Sequence, residues 1–304
     1  MYHMKGKSNW IAIDWGTTNF RAFLLEDERI IARLAEPCGL LSVENKQFGA
    51  TLQRLLAPWL EERCALPVVM AGMVGSQQGW QDVPYATLPA GAQNLVRGTY
   101  TFTTPWGSPA WIIPGVTGNS RYGQPDVMRG EEIQLLGLAQ CHPAQEHFAL
   151  LPGTHSKHAR MRQGEIVDFT TFMTGELFSL LCQHSLLGRD LPEQEPHDPS
   201  FALGIDTASE GTPFSHLIFS ARTRRLAGEI ALPHIHSYLS GLLIGHELAT
   251  VDGGQPAWVV GSSALTARYQ QAAGRLGLKL NAVDGDTCFL QGLNSLRSLV
   301  QEIA

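Results

Sequence analysis

The sequence predicts an α/β protein of two domains, and three observations carry that prediction. Short apolar runs alternate along the chain with segments at helical spacing, the pattern of α/β layering. A strand–turn–strand unit built on Gly-Thr stands near the start, at Ile13-Asp14-Trp15-Gly16-Thr17-Thr18-Asn19-Phe20, and is echoed midway at Leu150-Leu151-Pro152-Gly153-Thr154-His155-Ser156-Lys157. The length, 304 residues, is ample for two domains, each with its own core.

Taken in order, Ile11-Ala12-Ile13 is an apolar strand ended by one carboxylate, Asp14, and a second strand runs from Phe20 to Leu25. Phe48, Leu52, Leu55, Leu56, Trp59 and Leu60 share one face of a helix over roughly residues 44–63. Pro67 to Ala71 and Trp111 to Ile113 are short buried strands, closed by Gly72 and by Pro114-Gly115. Val116 to Pro125, polar and Gly-containing, reads as a loop, with Asp126 as the N-cap of a helix from Val127 to Cys141. The pattern breaks at Cys141-His142-Pro143, and a fresh strand begins at Phe148. Helices follow at 175–187 and 236–250, separated by Arg189 to Pro199, a solvated excursion with three prolines and four acidic residues. Trp258 to Gly261 is a strand that turns into a helix capped by Ser262 or Ser263, and Leu293, Leu296, Leu299, Val300 and Ile303 mark the apolar face of a closing helix. The expected division is residues 1–142, residues 143–288, and a helix over 289–304 that returns to the first domain.

Composition narrows the function classes. A formal net charge of −6 supplies no basic footprint for nucleic acid, and Lys5 and Lys7 are too few to make a basic arm. No apolar run is long enough to span a bilayer, and Asp14 interrupts the first apolar stretch before it could act as a signal segment. The five cysteines, Cys38, Cys64, Cys141, Cys182 and Cys288, are scattered and form no C-x-x-C pair, the usage of reduced cytosolic thiols. A cytoplasmic protein working on small molecules is the expectation, with no nucleic-acid or membrane partner and with homo-oligomer formation left open.

The first turn carries chemistry. Gly16 allows close backbone approach, and Gly16, Thr17, Thr18 and Asn19 gather N–H groups and small polar side chains of the kind that cup phosphate oxygens. Asp14 is placed to hold a divalent cation. The same residues would equally serve a hairpin turn and nothing more. In the echo, Gly153 falls on Gly16, Thr154 on Thr17, and Leu151 on Asp14, so only the first copy keeps the carboxylate. His155 and His158 lack a third metal ligand at suitable spacing, so His155 and Lys157 read better as phosphate neighbours than as a metal site.

Asp14-x-Gly16-Thr17-Thr18-Asn19-x-Arg21 is similar to the first phosphate motif of the sugar-kinase/hexokinase/actin/Hsp70 superfamily, with Asn19 in the place of a serine. Gly153-Thr154 resembles the second phosphate motif, and Val259-Val260-Gly261-Ser262-Ser263 the adenosine motif, where Ser262 replaces a second glycine. Ala71-Gly72-Met73-Val74-Gly75-Ser76-Gln77-Gln78-Gly79-Trp80, Ile113 to Val116, Asp126 to Glu132 and Leu151 to Lys157 narrow the likeness to the 2-dehydro-3-deoxygalactonokinase family.

That resemblance implies two ribonuclease-H-like lobes of actin/hexokinase type with the active site in the cleft between them. It also implies ATP-dependent phosphorylation of 2-dehydro-3-deoxy-D-galactonate on its 6-hydroxyl. By it, Asp14 would hold Mg²⁺ and Arg21 would be a cationic clamp. Gly16, Thr17, Thr18, Asn19, Gly153, Thr154, His155 and Lys157 would meet the phosphates, and Gly261 and Ser262 the adenosine. Glu131 would be the base that accepts the hydroxyl proton, with Glu132 and then Asp126 as alternatives. Acidic residues in a helix's first turn also complement its dipole without any catalytic part. Ser76, Gln77, Gln78, Trp80 and Arg129, with Arg121 as a further cation, would face the sugar acid or belong to ordinary surface. The rival readings are a kinase of another sugar acid, polyol or ketose, a superfamily phosphatase acting on phosphoanhydrides, a silent nucleotide-binding regulator and an actin-like filament protein.

Overall fold

The computed structural model describes residues 8–61, 65–209, 211–254 and 256–303, so the readings at Lys5, Lys7, Cys64 and the end of the 44–63 helix fall outside the described residues. Contacts divide the chain into two units: Met1–Glu146 with Arg160–Phe169 and Gly285–Ala304, and His147–Ala159 with Thr170–Asp284.

In the first unit, β1 (Asn9–Trp15), β2 (Phe20–Glu26) and β3 (Arg29–Glu36) form an antiparallel meander. After α1 (Phe48–Leu60), β4 (Val68–Ala71) adds parallel to β1. β5 (Ala86–Thr87) and α2 (Ala92–Gly98) lead to β6 (Tyr100–Thr103) and β7 (Pro109–Ile112), and the sheet runs β3-β2-β1-β4-β7-β6. Trp15, Phe20, Leu52, Leu56 and Met70 are completely buried beneath α1 and the sheet, because the apolar positions of both fall on one side. β8 (Val116–Asn119) and β9 (Pro125–Met128) make a small second sheet with β5, and α3 (Glu131–Cys141) follows.

Two expectations are corrected here. The stretch from Val116 is a strand rather than a loop, and Asp126 lies in β9 rather than capping a helix. Asp126 Oδ1 accepts from the neighbouring Val127 N–H (2.8 Å), and α3 starts four residues later than expected at Val127, after Gly130 with φ +114°. A left-handed glycine and not a capping carboxylate sets the turn into α3.

The strands of the second unit belong to another sheet, of which Glu146 and Arg160–Phe169 are counted with the first unit. It comprises β10 (Glu146–Leu151), β11 (Ser156–Arg162), β12 (Glu165–Phe172), β13 (Ala257–Gly261) and β14 (Leu280–Asp284), in the order β12-β11-β10-β13-β14. This is the order of the first sheet, third-second-first-fourth-fifth, once its extra edge strand β6 is set aside. The repeated Gly-Thr turn therefore sits between the first two strands of each sheet. The helices are α4 (Thr174–Gln183), α5 (Asp198–Ala208), α6 (Phe214–Leu226), α7 (Ile235–Leu248) and α8 (Ser263–Arg275). α7 is buried on nearly every side, which its length of apolar residues from Tyr238 to Leu248 requires. Helices α5 and α6 had no counterpart in the sequence reading. α9 (Gly285–Ile303) packs on α3 and α2 within the first unit, burying Leu293, Leu296 and Val300; the side chain of Ile303 lies outside the described residues.

Candidate active site

The β1–β2 turn is exposed from Thr17 to Asn19, and its backbone is fixed from behind. Gly16 N–H donates to Asn19 O (2.9 Å), while Gly39 N–H donates to Thr18 O (3.0 Å), Leu40 N–H to Gly16 O (3.0 Å) and Leu41 N–H to Thr17 O (3.2 Å). Carbonyl oxygens that would repel an anion are thereby engaged by Gly39 to Leu41. The approach demands glycine at 39, since a Cβ there would stand 2.3 Å from Thr17 O. The second turn is braced in the same manner. Glu176 N–H donates to Thr154 O (2.9 Å), and a Cβ on Gly175 would stand 2.3 Å from Gly153 O.

Asp14 lies directly opposite Arg21 in the β1–β2 register. The Arg21 guanidinium pairs with Asp14 through one nitrogen and with Asp286, in the first turn of α9, through another. The Asp14 carboxyl stands above its ordinary range: burial raises it, and the charge and hydrogen bond of Arg21 offset only part of that rise. The other Asp14 oxygen, Oδ1, lies 3.1 Å from where a Cβ on Gly72 would be, and the Gly72 Cα lies 3.5 Å from where one on Gly130 would be. The bare backbone of Gly72 and Gly130 thus leads from Asp14 to the start of α3. There Glu131 accepts from Arg129 N–H (3.0 Å), and Glu132 accepts from Gly130 N–H (2.7 and 2.9 Å). Glu132 is wholly buried, and that burial, aided by the Glu131 charge, pushes its pKa up to about 8. Glu132 accordingly holds its proton at neutral pH.

The other residues singled out on the sugar side are distributed unevenly. Gln77 and Gln78 are exposed, whereas Ser76 is buried and donates to Met73 O (2.7 Å). Trp80 packs edge-on against Phe102 (5.0 Å) in the core. Arg129 is buried over the Tyr85 ring (4.2 Å), with Nη2 donating to Val83 O (2.9 Å). Arg121 is exposed beside Tyr122. In the second unit, His155 pairs with Glu176, and Lys157 is buried, its Nζ donating to Thr171 Oγ1 (2.8 Å).

A cavity of about 350 Å³ opens in the second unit, next to the second turn. Gly153, Thr174 and Gly175 line one part, Phe178, Leu243, Ile244 and Leu265 supply apolar walls, and Arg268 and Tyr269 come from α8. Gln194, Glu195 and Pro196 also line it, so the excursion from Arg189 to Pro199 is not simply solvated. It is laced to residues 232–237. The Gln194 amide donates to Pro192 O and Leu232 O (both 2.9 Å) and accepts from His236 N–H (3.0 Å), and Glu195 N–H donates to Pro233 O (2.9 Å). Gly261 ends β13, and Ser262 stands at the N-cap of α8, its carbonyl accepting from Thr266 N–H (2.9 Å). The cavity is large enough and apolar enough for a flat heterocycle, with polar groups at its edges.

A protein-family profile described as 2-keto-3-deoxy-galactonokinase matches residues 14–296. The chain belongs to that family. Among relatives of the 2-keto-3-deoxy-galactonokinase family, the chain is 37% identical to the 2-dehydro-3-deoxygalactonokinase of Escherichia coli (strain K12) over 297 residues, 96% of this chain and 99% of that one. A crystal structure from Sinorhizobium meliloti, provisionally described as a 2-dehydro-3-deoxygalactonokinase, superposes with a TM-score of 0.85 at 31% identity, covering 96% of this chain and 99% of the other. The activator of 2-hydroxyisocaproyl-CoA dehydratase from Clostridium difficile, solved with bound ADPNP, shares the fold alone, with a TM-score of 0.50 at 11% identity and coverage of 97% and 96%. The fold is of the actin/hexokinase type, with two α/β units of one strand order.

Several residues of the site escaped the sequence reading. Asp286 stands in Asp284-Gly285-Asp286, just before the closing helix, where an N-terminal acidic residue reads as a dipole partner. Gly39 and Gly175 carried no motif. The part of the cavity wall from Gln194 to Pro196 lay in a segment whose prolines and charges marked it only as irregular.

Among the described residues, no group of three or more His, Cys, Asp or Glu side chains is arranged to hold a metal ion. Asp14 nevertheless fits a cation that arrives with a nucleotide. Mg²⁺ is commonly held by one or two carboxylates, with water and phosphate filling its remaining positions, and Asp14 Oδ1 lies beside the backbone of Gly72, a residue with no side chain of its own. No described helix is long and apolar enough to cross a membrane.

Proposed function

We propose that this protein transfers the γ-phosphoryl group of ATP to the 6-hydroxyl of 2-dehydro-3-deoxy-D-galactonate. The product is 2-dehydro-3-deoxy-6-phospho-D-galactonate, a step of galactonate catabolism, carried out in the cytoplasm. The family match over residues 14–296 carries the reading: the protein is an ATP-dependent kinase of the keto-deoxy sugar acid ("keto" and "dehydro" name the same C2 carbonyl). The finer assignments rest on the geometry of each unit.

Phosphoryl transfer asks little covalent chemistry of a protein; it asks for alignment and for charge to be neutralised. In the first unit, Asp14 would hold Mg²⁺, which when bound neutralises charge on the phosphoryl oxygens. Arg21, gripped by Asp14 and Asp286, keeps the Asp14 carboxylate oriented and favours its ionised form. The exposed turn Thr17-Thr18-Asn19, with Gly16 closing it behind, would cup phosphate. Glu131 is the base that takes the proton from the substrate hydroxyl, because its neighbour Glu132 already carries one at neutral pH. Gln77 and Gln78 meet the sugar acid directly. Ser76, Trp80 and Arg129 hold their loop from behind, Arg129 adding positive charge beneath the carboxylate.

In the second unit, the apolar cavity takes adenine and ribose beside Gly261 and Ser262, with Gly153, Thr154 and His155 at the phosphate end. Lys157 supports that end from beneath the turn.

The test is ADP release with Mg²⁺-ATP, with and without 2-dehydro-3-deoxy-D-galactonate, for the wild type and Glu131→Gln. Sugar-dependent release that falls about 10²–10⁴-fold in the variant is the expected result. Release that survives the substitution moves the base elsewhere, and wild-type release indifferent to the sugar removes the named substrate.

A further inference from the structure

The second unit buries a carboxylate that the reaction does not use. Glu247, on α7, is 1% exposed, yet its two oxygens accept four hydrogen bonds. Ser156 Oγ (2.6 Å) and His158 Nε2 (2.8 Å) donate to Oε1, while Tyr269 OH (2.7 Å) and Thr174 Oγ1 donate to Oε2. Burial raises the carboxyl, and these donors, His158 first, outweigh it and hold Glu247 below its ordinary range.

The donors come from three other elements. Ser156 and His158 open β11, directly after the Gly153-Thr154-His155 turn. Thr174 begins α4, one residue before the Gly175 that braces that turn, and Tyr269 lies on α8. Thr174 and Tyr269 also line the cavity. A buried carboxylate is a poor way to gain stability, because an apolar core of equal volume usually serves as well or better. What four directional bonds to one rigid group provide is a fixed relation among the parts they join.

We infer that Glu247 is a positioning residue for the nucleotide, holding the second phosphate turn and two walls of the cavity in register. The inference rests on the reading of that cavity as the nucleotide site. Glu247 touches no substrate; it acts through Ser156, Thr174 and Tyr269. A displacement of these parts by about 1 Å is enough to cost on the order of a hundredfold in a binding or catalytic step.

The experiment is calorimetric titration of ADP into the wild type, Glu247→Gln and Ser156→Ala, with KM for the sugar acid at saturating ATP and circular dichroism alongside. Glu247→Gln keeps the shape but turns one acceptor oxygen into a donor that faces two hydroxyls. The expected result is an ADP Kd raised about tenfold or more, with the KM for the sugar acid within about twofold of wild type. Ser156→Ala removes one donor that does not line the cavity, and should raise the ADP Kd by a smaller factor; it decides the matter if Glu247→Gln does not fold. Folded variants that bind ADP as the wild type does overturn the inference. So do variants in which ADP and sugar affinities decline together in step with melting temperature. A wild type that fails to bind ADP overturns the assignment of the cavity, and the inference with it.

Discussion

The two Gly-Thr turns are built alike and finished differently. Each follows the first strand of a sheet with the same strand order, and each has its carbonyls engaged by a backbone N–H brought close by a glycine, Gly39 or Gly175. The difference lies in the acid. In the first copy Asp14 stands in the strand itself, paired across the ladder with Arg21 and with its other oxygen set beside the backbone of Gly72. In the second copy Leu151 fills that position; Glu176 pairs with His155 of the turn, and Glu247 lies sealed under four donors. In the reading proposed above, Asp14 would meet a cation, whereas Glu247 holds its surroundings. The duplicated frame thus supports two tasks, and the chemistry divides according to where the negative charge is placed.

The sharpest way to break this comparison is Asp14→Asn, which keeps the shape and removes the charge. It should lower kcat by about 10³-fold with little change in ADP affinity, since electrostatic groups at a phosphoryl centre commonly carry effects of that size. An unchanged kcat would dissolve the distinction between the turns. Next come the two bracing glycines. Gly39→Ala and Gly175→Ala each force a methyl against a carbonyl, and each should cost about 1–3 kcal/mol in urea unfolding. The ADP Kd should rise more for Gly175→Ala, because Gly175 also lines the cavity. Equal effects on ADP would mean that the cavity does not belong to the nucleotide.

A smaller effect is expected from Asp286→Asn. It removes one of the two carboxylates on Arg21 and should reduce kcat a few-fold, while stability moves by less than about 1 kcal/mol, as for partly exposed pairs. The last concerns pH. The folded protein retains the Glu132 proton up to about pH 8, whereas an unfolded carboxyl loses it near its ordinary 4.5. Stability from this group is therefore present in full below that lower value and is lost as pH rises between the two. Urea midpoints taken from pH 5 to pH 8.5 should show a downward slope that flattens in Glu132→Gln.

How much of this could be read beforehand differs by feature. The strands β1 and β10 that lead into the two Gly-Thr turns, and the helices α1, α4, α7 and α8, were legible because apolar spacing and local turn residues speak directly to local structure. The start of α3 was misplaced because Asp126 has the composition of a cap while its side chain satisfies the next residue in a strand, and the real boundary depends on a backbone angle at Gly130. Asp286, Gly39 and Glu247 were invisible for another reason. Each acts on a residue far away in sequence, as when Asp286 meets Arg21, and no local pattern records such a pairing. The excursion after Arg189 was read as solvent-facing since its order comes from side-chain bonds such as those of Gln194, not from a repeating backbone pattern.

The placement of α9 bears on how the chain is made. Its first turn supplies the Asp286 carboxylate to Arg21, and its apolar face completes the packing of α3 in the unit that is translated first. Domains commonly fold in the order in which they leave the ribosome, but here the earlier unit stays incomplete until residues 285–303 have been synthesised. The later unit, whose own elements end at Asp284, has everything it needs sooner. The pairing of Arg21 with both of its carboxylates therefore waits for one of the last stretches of the chain to be made.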